Sequence, residues 1–191
     1  MRQENLPELL LITPEPPADA AFDDFLLRLR RALASGITLV QLRAKALEPD
    51  TYEALARQAL KLCREHGARL ILNGPVVDLQ AVDADGLHLD SARLMACEQR
   101  TLPTSKLLCA ACHSREQLLH AVRIGADLVT LSPVLPTTSH PGAPVLGWQH
   151  FAELVSLVQM PVYALGGMTR AHGATARSLG AQGIASISAL W

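Results

Sequence analysis

The chain has 191 residues, 49% of them hydrophobic and 4% aromatic, enough for one sizeable core and not two. A net charge of −1 with no Lys/Arg run argues against a nucleic-acid partner. No apolar run approaches the roughly 20 residues of a membrane span, and Met1-Arg2-Gln3-Glu4-Asn5 lacks a signal-peptide core, so the expected compartment is the cytoplasm.

Strand one is expected at 8–13, an apolar run stopped by Pro14, Pro16 and Pro17. A helical face over 20–34 carries Phe22, Phe25, Leu26, Leu29 and Leu33, with Asp19 as N-cap and Gly36 closing it. Strand two follows at 37–42, a helix at 49–66 and strand three at 69–73. Residues 75–82 read as a short helical connection, 86–89 as strand four, 91–95 as a helical turn and 106–110 as strand five. Ser114 with Gln117 is a capping-box pattern opening a helix that ends at Gly125. Strand six at 127–131 leads into a Pro- and Thr-rich loop, 132–146. A helix at 148–158, strand seven at 161–165, a helix at 170–179 and strand eight at 183–187 complete the pattern.

Strict alternation predicts a parallel sheet with outer helices. Eight such strands favour a closed (β/α)8 TIM barrel, a single domain over 1–191, rather than an open doubly wound sheet. No G-x-G-x-x-G follows strand one, which weakens a dinucleotide-binding alternative. The eighth helix is missing. Its gap would be left open, covered by Trp191 or the N-terminal segment, or filled by another chain, which leaves room for a homo-oligomer or a fused partner domain.

The stretch Pro161-Val162-Tyr163-Ala164-Leu165-Gly166-Gly167-Met168 organises the rest. A buried strand, two glycines and a helix starting near Thr169 make an anion site of free N–H groups and a helix dipole. The loops after strands seven and eight, Gly166-Gly167 and Ile187-Ser188, are expected side by side, as in the usual barrel phosphate site. Gly167→Asp is expected to abolish phosphate binding and leave the fold intact.

At the other strand ends, alternation puts Gln41, Arg43 and Lys45 on one side, an amide and two cations fit for phosphate oxygens. The plainer alternative is a solvated loop with scattered charges. Asn73-Gly74 reads locally as a turn, and Asp85 and His88 sit on strand four, where a lone His is more often a hydrogen-bonded core residue. Thr137, Thr138, Ser139 and His140 lie in the long loop and are candidates for a lid. Cys109-Ala-Ala-Cys112 has redox or zinc spacing, yet no second ligand pair accompanies it. Its thiols would point to opposite faces of strand five and read as reduced and buried.

Taken together, Ile12-Thr13, Gln41-x-Arg43-x-Lys45, Leu72-Asn73, Ala84-Asp85-Gly86-Leu87-His88-Leu89, His113-Ser114, Gly125-Ala126-Asp127, Ser132-Pro133-Val134-Leu135-Pro136-Thr137, Leu146-Gly147, Ala164-Leu165-Gly166-Gly167-Met168 and Ile187-Ser188-Ala189 resemble the thiamine phosphate synthase and TenI family over nearly the whole chain. The resemblance implies a transferase of thiamine biosynthesis. It joins hydroxymethylpyrimidine pyrophosphate to thiazole phosphate and releases pyrophosphate through a pyrimidine-methyl cation. It further implies that Gln41, Arg43, Lys45 and Asn73 hold the pyrophosphate and that His88 lies near the pyrimidine. Thr137, Ser139, Gly166, Gly167, Ile187 and Ser188 would hold the thiazole phosphate. The expected catalytic set is Arg43, Lys45, His88 and His140, and the expected ligands are thiazole phosphate, hydroxymethylpyrimidine pyrophosphate and thiamine phosphate.

The departures are specific. The resemblance implies Mg2+ as cofactor, but Gly74 stands where a ligand Asp follows the strand-three Asn, and Arg93 where a second acid should fall. No metal ligand is assigned; Asp78 or Asp90 would be the substitutes. Ala111 replaces an expected Ser and His140 an expected Lys. TenI members carry Asn-Gly at strand three, but their catalytic His after strand six is Ser132 here, leaving His140 as the only imidazole expected nearby. The competing expectation is therefore a TenI-like or non-catalytic barrel that binds thiazole phosphate or thiamine phosphate without joining the halves.

Overall fold

The computed structural model describes residues 6–17, 22–75, 82–100, 102–137, 142 and 144–191. Its strands are β1 (Leu9–Ile12), β2 (Leu39–Arg43), β3 (Arg69–Asn73), β4 (Gly86–Leu89), β5 (Leu107–Cys112), β6 (Leu128–Leu131), β7 (Val162–Ala164) and β8 (Gly183–Ser186). They pair in chain order, all parallel, and β8 closes onto β1 with Leu10 opposite Ala185. The expected eight-stranded barrel is the fold found.

The helices are α1 (Asp23–Ala34), α2 (Pro49–Glu65), α3 (Ser91–Ala96), α4 (Arg115–Arg123), α5 (Gly147–Val155) and α6 (Gly173–Ser178), the last preceded by a 3-10 turn, Arg170–His172. On α1 the buried stripe is Phe25, Leu29, Ala32 and Leu33, a helical spacing set against Val40 and Leu42 of β2. Each such buried Leu or Phe contributes about 1.5–3 kcal/mol. Ser114 caps α4 by accepting from Gln117 N–H, but the Gln117 side chain reaches the His113 N–H and not Ser114. Asp19 and most of the 75–82 connection lie outside the described residues. Phe22 holds the α1 N-cap position without a side-chain bond, and Asp23 and Asp24 complement the dipole in the first turn. Among the described residues no helix is long and apolar enough to cross a membrane.

The period of two along each strand sorts the chain into layers. Leu10, Ile12, Leu39, Ile71, Cys109, Leu128, Tyr163 and Ala185 fill the barrel interior, while Leu11, Val40, Leu42, Leu70, Leu72 and their counterparts pack under the helices. Cys109 faces inward and Cys112 outward, both free. Burial pushes both thiols up, Cys112 to about 12, so they are inert.

Asp85 belongs to the opposite end of the barrel from the mouth. Its Oδ2 accepts from Leu70 N–H at 2.7 Å, and Asp127 does the same for Leu108 N–H at 2.7 Å before β6. These Asp residues staple the starts of strands and take no part in the site. After β8, Leu190 is buried and the Trp191 ring sits 4.8 Å from that of Phe25 on α1. Trp191 thus packs against α1 at the edge of the core cluster that includes Phe25 and Leu190.

Candidate functional site

At the C-terminal ends of the strands lies a cavity of about 420 Å3. Gln41, Arg43, Lys45, Asn73, His88, Thr137, Gly166 and Ile187 all line it. A second cavity of about 230 Å3 is lined by Thr137, Gly166, Gly167, Ile187 and Ser188, with Met168, Thr169 and Ala189. The two share Thr137, Leu165, Gly166 and Ile187 as a common wall. Ser139 and His140 lie outside the described residues.

β2 positions the cations. Arg43 is paired with Asn73 across the β2–β3 ladder, and its N–H is received by the Thr13 hydroxyl at 2.9 Å, so β1 fixes the end of β2. Each cation meets a carboxylate. Arg43 Nη1 stands 2.7 Å from Glu15 Oε2, and Lys45 Nζ 3.0 Å from Asp90 Oδ2. Glu15 Oε1 also receives Ala46 N–H at 2.8 Å, which pins the loop carrying Lys45. Nothing in the sequence singled out Glu15, which lies in a Pro-rich run with no motif spacing.

Below the cations a polar chain crosses the barrel interior. Asn73 Nδ2 donates to Gln41 Oε1 at 2.8 Å, and Gln41 Nε2 lies 3.1 Å from His88 Nδ1. With Gln41 Oε1 already accepting, Nε2 donates, so His88 Nδ1 is an acceptor and the ring proton sits on Nε2. Cys109 Sγ is 3.1 Å from the same Nδ1. Burial, then the charges of Lys45 and Arg93 against Asp90, pull the imidazole down to about 3. His88 is therefore neutral at physiological pH and holds a proton it can present as a hydrogen bond. Two buried atoms have no partner among the described residues, Asn73 Oδ1 and Thr130 Oγ1, and both residues line the larger cavity. An unmade bond at such a site costs about 1–3 kcal/mol, which a polar ligand would recover.

The positions that depart from the family pattern lie together. A Cβ on Gly74 would stand 2.5 Å from Tyr52 Cζ, so the Tyr52 ring fills the space a side chain at 74 would need. Tyr52 donates its hydroxyl to Leu42 O at 3.1 Å and receives Asn73 N–H at 3.0 Å, locking the ends of β2 and β3. Arg93 Nη1 donates to Gly74 O at 2.9 Å. Asp90 Oδ1 receives Arg93 N–H at 3.0 Å as the N-cap of α3, and that bond with Lys45 beside it holds its carboxyl below the usual range. Asp78 lies outside the described residues. Among the described residues no group of three or more His, Cys, Asp or Glu could hold a metal ion. Among the described residues, an oxygen-ligated divalent cation does not fit a single, already bridged carboxylate between Lys45 and Arg93.

A second correction concerns imidazoles. His113, exposed at the end of β5, places Nδ1 2.8 Å from the Ser132 carbonyl and lines the larger cavity. An imidazole other than His140 therefore stands beside Ser132. The register explains it, since Cys112 pairs with Leu131 and the residues that follow remain neighbours.

The smaller cavity is built from main chain. β7 and β8 are adjacent, with Ala164 opposite Ile184. The Ser186 hydroxyl donates to Met168 O at 2.9 Å and Leu135 N–H to Gly166 O at 3.1 Å, which ties the two loops together. Among the described residues, no protein acceptor takes the N–H of Gly167, Ile187 or Ser188. The helix expected from Thr169 is instead a 3-10 turn followed by six-residue α6. Thr169 N–H is taken by His172 Nδ1 at 3.1 Å. A dipole of that length adds little, so a ligand in this cavity would meet the loop amides instead. Gly167 has φ +68°, and a Cβ there would stand 2.6 Å from Pro136 O. Gly167→Asp would therefore disturb the loop itself, contrary to the expectation of an intact fold.

A family model described as thiamine monophosphate synthase matches residues 9–190. A putative thiamine-phosphate synthase of Geobacter sulfurreducens is 40% identical over 185 residues, 95% of this chain and 85% of that one. A second putative synthase, from Aquifex aeolicus, is 34% identical over 96% of this chain and 97% of its own length. The thiamine phosphate pyrophosphorylase structure from Pyrococcus furiosus superposes with a TM-score of 0.75 at 27% identity, covering 95% of this chain and 85% of that one. With the barrel and the matched length in agreement, the chain belongs to the thiamine monophosphate synthase and TenI family.

Proposed function

We propose that this protein is a thiamine phosphate synthase, a transferase that joins hydroxymethylpyrimidine pyrophosphate to thiazole phosphate with release of pyrophosphate. The observation that carries this reading is the shared wall. A cation-lined cavity and an amide-lined cavity meet at Thr137, Leu165, Gly166 and Ile187. Two phosphorylated substrates bound from opposite ends would bring their reacting atoms together there.

In the proposed reaction the methylene–oxygen bond of the pyrimidine substrate breaks and its electron pair leaves with pyrophosphate. The thiazole nitrogen then bonds to the methylene carbon. Arg43 and Lys45 meet the charge that grows on the leaving oxygens. Gln41 and Asn73 orient the pyrophosphate end, and neutral His88 offers Nε2–H to the pyrimidine. The N–H groups of Gly167, Ile187 and Ser188, with Thr137, hold the thiazole phosphate. Ser139 keeps its expected place with the thiazole phosphate, and His140, in the position of the family's Lys, its expected place in the catalytic set.

The test is product detection: purified protein with both substrates, assayed for thiamine phosphate. Product formation supports the reading. Binding of thiamine phosphate with no product would establish the non-catalytic alternative, which the synthase names of the curated relatives disfavour.

A further inference from the structure

The two positions where family metal ligands are expected do not merely lack carboxylates; they contact each other through other chemistry. Arg93 Nη1 donates to the carbonyl of Gly74 at 2.9 Å, while the Tyr52 ring closes the space beside Gly74. Asp90, the carboxylate beside them, is spent on Arg93 N–H and Lys45 Nζ, each at 3.0 Å. Among the described residues Arg93 Nε and Nη2 have no protein acceptor. Asp90 and Ser91 of the same turn line the larger cavity and Arg93 does not, so its guanidinium, half-buried and anchored at one nitrogen, borders that end of the cavity at the sequence position where the family pattern has an anion for a metal.

We propose that Arg93, together with Lys45 and Arg43, supplies the positive charge for the pyrophosphate group, so that this end of the cavity binds pyrophosphate without a divalent cation. The proposal rests on the synthase reading for its ligand. A guanidinium suits this role because it keeps its charge at any physiological pH and offers two parallel N–H donors to phosphate oxygens. The anchor on Gly74 O limits the freedom lost on binding. The bond-breaking step keeps its balance, because the electron pair still leaves with pyrophosphate and only the source of opposing charge has changed. Charge also argues against adding a metal: a dication here would face the Arg93 and Lys45 cations at short range.

Calorimetry with inorganic pyrophosphate decides it, first in EDTA and then in Mg2+ with free pyrophosphate corrected for its magnesium complex. The expected result is binding in EDTA, with affinity in Mg2+ no more than about threefold tighter. Arg93→Ala should weaken binding about tenfold or more in both buffers, and Arg93→Lys less, because it keeps the charge and loses the fork. Binding that requires Mg2+, or Arg93→Ala affinity equal to wild type, overturns the proposal. The wild-type comparison stands even if a variant fails to fold. Thiamine phosphate formation, measured in the same buffers, separates the two readings. Product that appears only with Mg2+ defeats metal independence and leaves the synthase reading. Pyrophosphate bound in EDTA with no product in either buffer defeats the synthase reading and leaves the metal-free site.

Discussion

Ser188→Asp tests the amide-lined cavity without touching the fold. Ser188 is exposed, has no hydrogen-bonded partner among the described residues, and lines the smaller cavity beside Ile187 and Ala189. A carboxylate here would face a phosphate held by the neighbouring amides. For a separation of about 4 Å, two unit charges repel by about 1 kcal/mol in bulk water and about 4 kcal/mol at the effective dielectric of a protein surface. A half-open rim lies between these limits, so about 2 kcal/mol is expected, a loss of roughly 30-fold in affinity. Calorimetry with thiamine phosphate reads it directly. The penalty should shrink as salt is raised, since the rim is open to counterions. Ser188→Ala should lose far less, because the main-chain N–H is the donor. An unchanged Ser188→Asp affinity, or an equal loss in Ser188→Ala, would refute the placement of the phosphate at these amides.

The remaining predictions concern the barrel interior. Tyr52→Phe removes the hydroxyl that bonds both Leu42 O and Asn73 N–H beneath the mouth, while the β2–β3 ladder keeps those two groups paired, and should destabilise by about 1 kcal/mol, read from urea unfolding. Gly74→Asp, which restores the family acid, overlaps the Tyr52 ring and should cost about 1–3 kcal/mol while failing to create Mg2+-dependent pyrophosphate binding. Thr130→Val should change stability by less than about 1 kcal/mol, because the hydroxyl has no protein partner to lose, yet weaken ligand binding in calorimetry. His88 has its folded-state value lowered from 6.5 to about 3. Below about pH 6.5 the unfolded chain takes up the proton first, so stability is lost as pH falls toward 3, by up to about 1.4 kcal/mol per unit from this group. His88→Gln should flatten that part of the acid limb in urea titrations.

What the sequence made legible follows from where its signals are local. β3 and β4 were readable to the residue because Gly67 and Gly86 bound apolar runs with unambiguous ends. β5 extends further than expected because Ala111 and Cys112 are small and carry no breaking signal. The 170–179 helix splits because His172 caps Thr169 with its ring, and no capping rule marks an imidazole at that position. In the cavity, Gln41, Arg43 and Lys45 were legible because strand alternation alone decides their side. Glu15 and Tyr52 were not, since each acts across elements far apart in sequence and looks ordinary among its neighbours. Asp85 misled for the converse reason: polar residues mark both ends of a strand, and only the register says which end faces the mouth.

In the proposed reaction the two ends of the cavity hold anions by different means, and the difference suits what each anion must do. The thiazole phosphate stays bound through the reaction with its charge unchanged, so fixed main-chain donors suffice and need no rearrangement. The pyrophosphate gains charge on its leaving oxygens and must then depart. Its cations enter already partnered, Arg43 with Glu15 and Lys45 with Asp90, and a ligand must compete with those carboxylates. That competition lowers ground-state affinity more than transition-state affinity, because attraction grows with the developing charge while the carboxylate pairing does not. The same carboxylates then favour release by reclaiming their partners. Replacing Glu15 by Gln should therefore tighten pyrophosphate binding while slowing its dissociation, an effect visible in stopped-flow displacement; faster dissociation from that variant would mean Glu15 only orients Arg43 and takes no part in release.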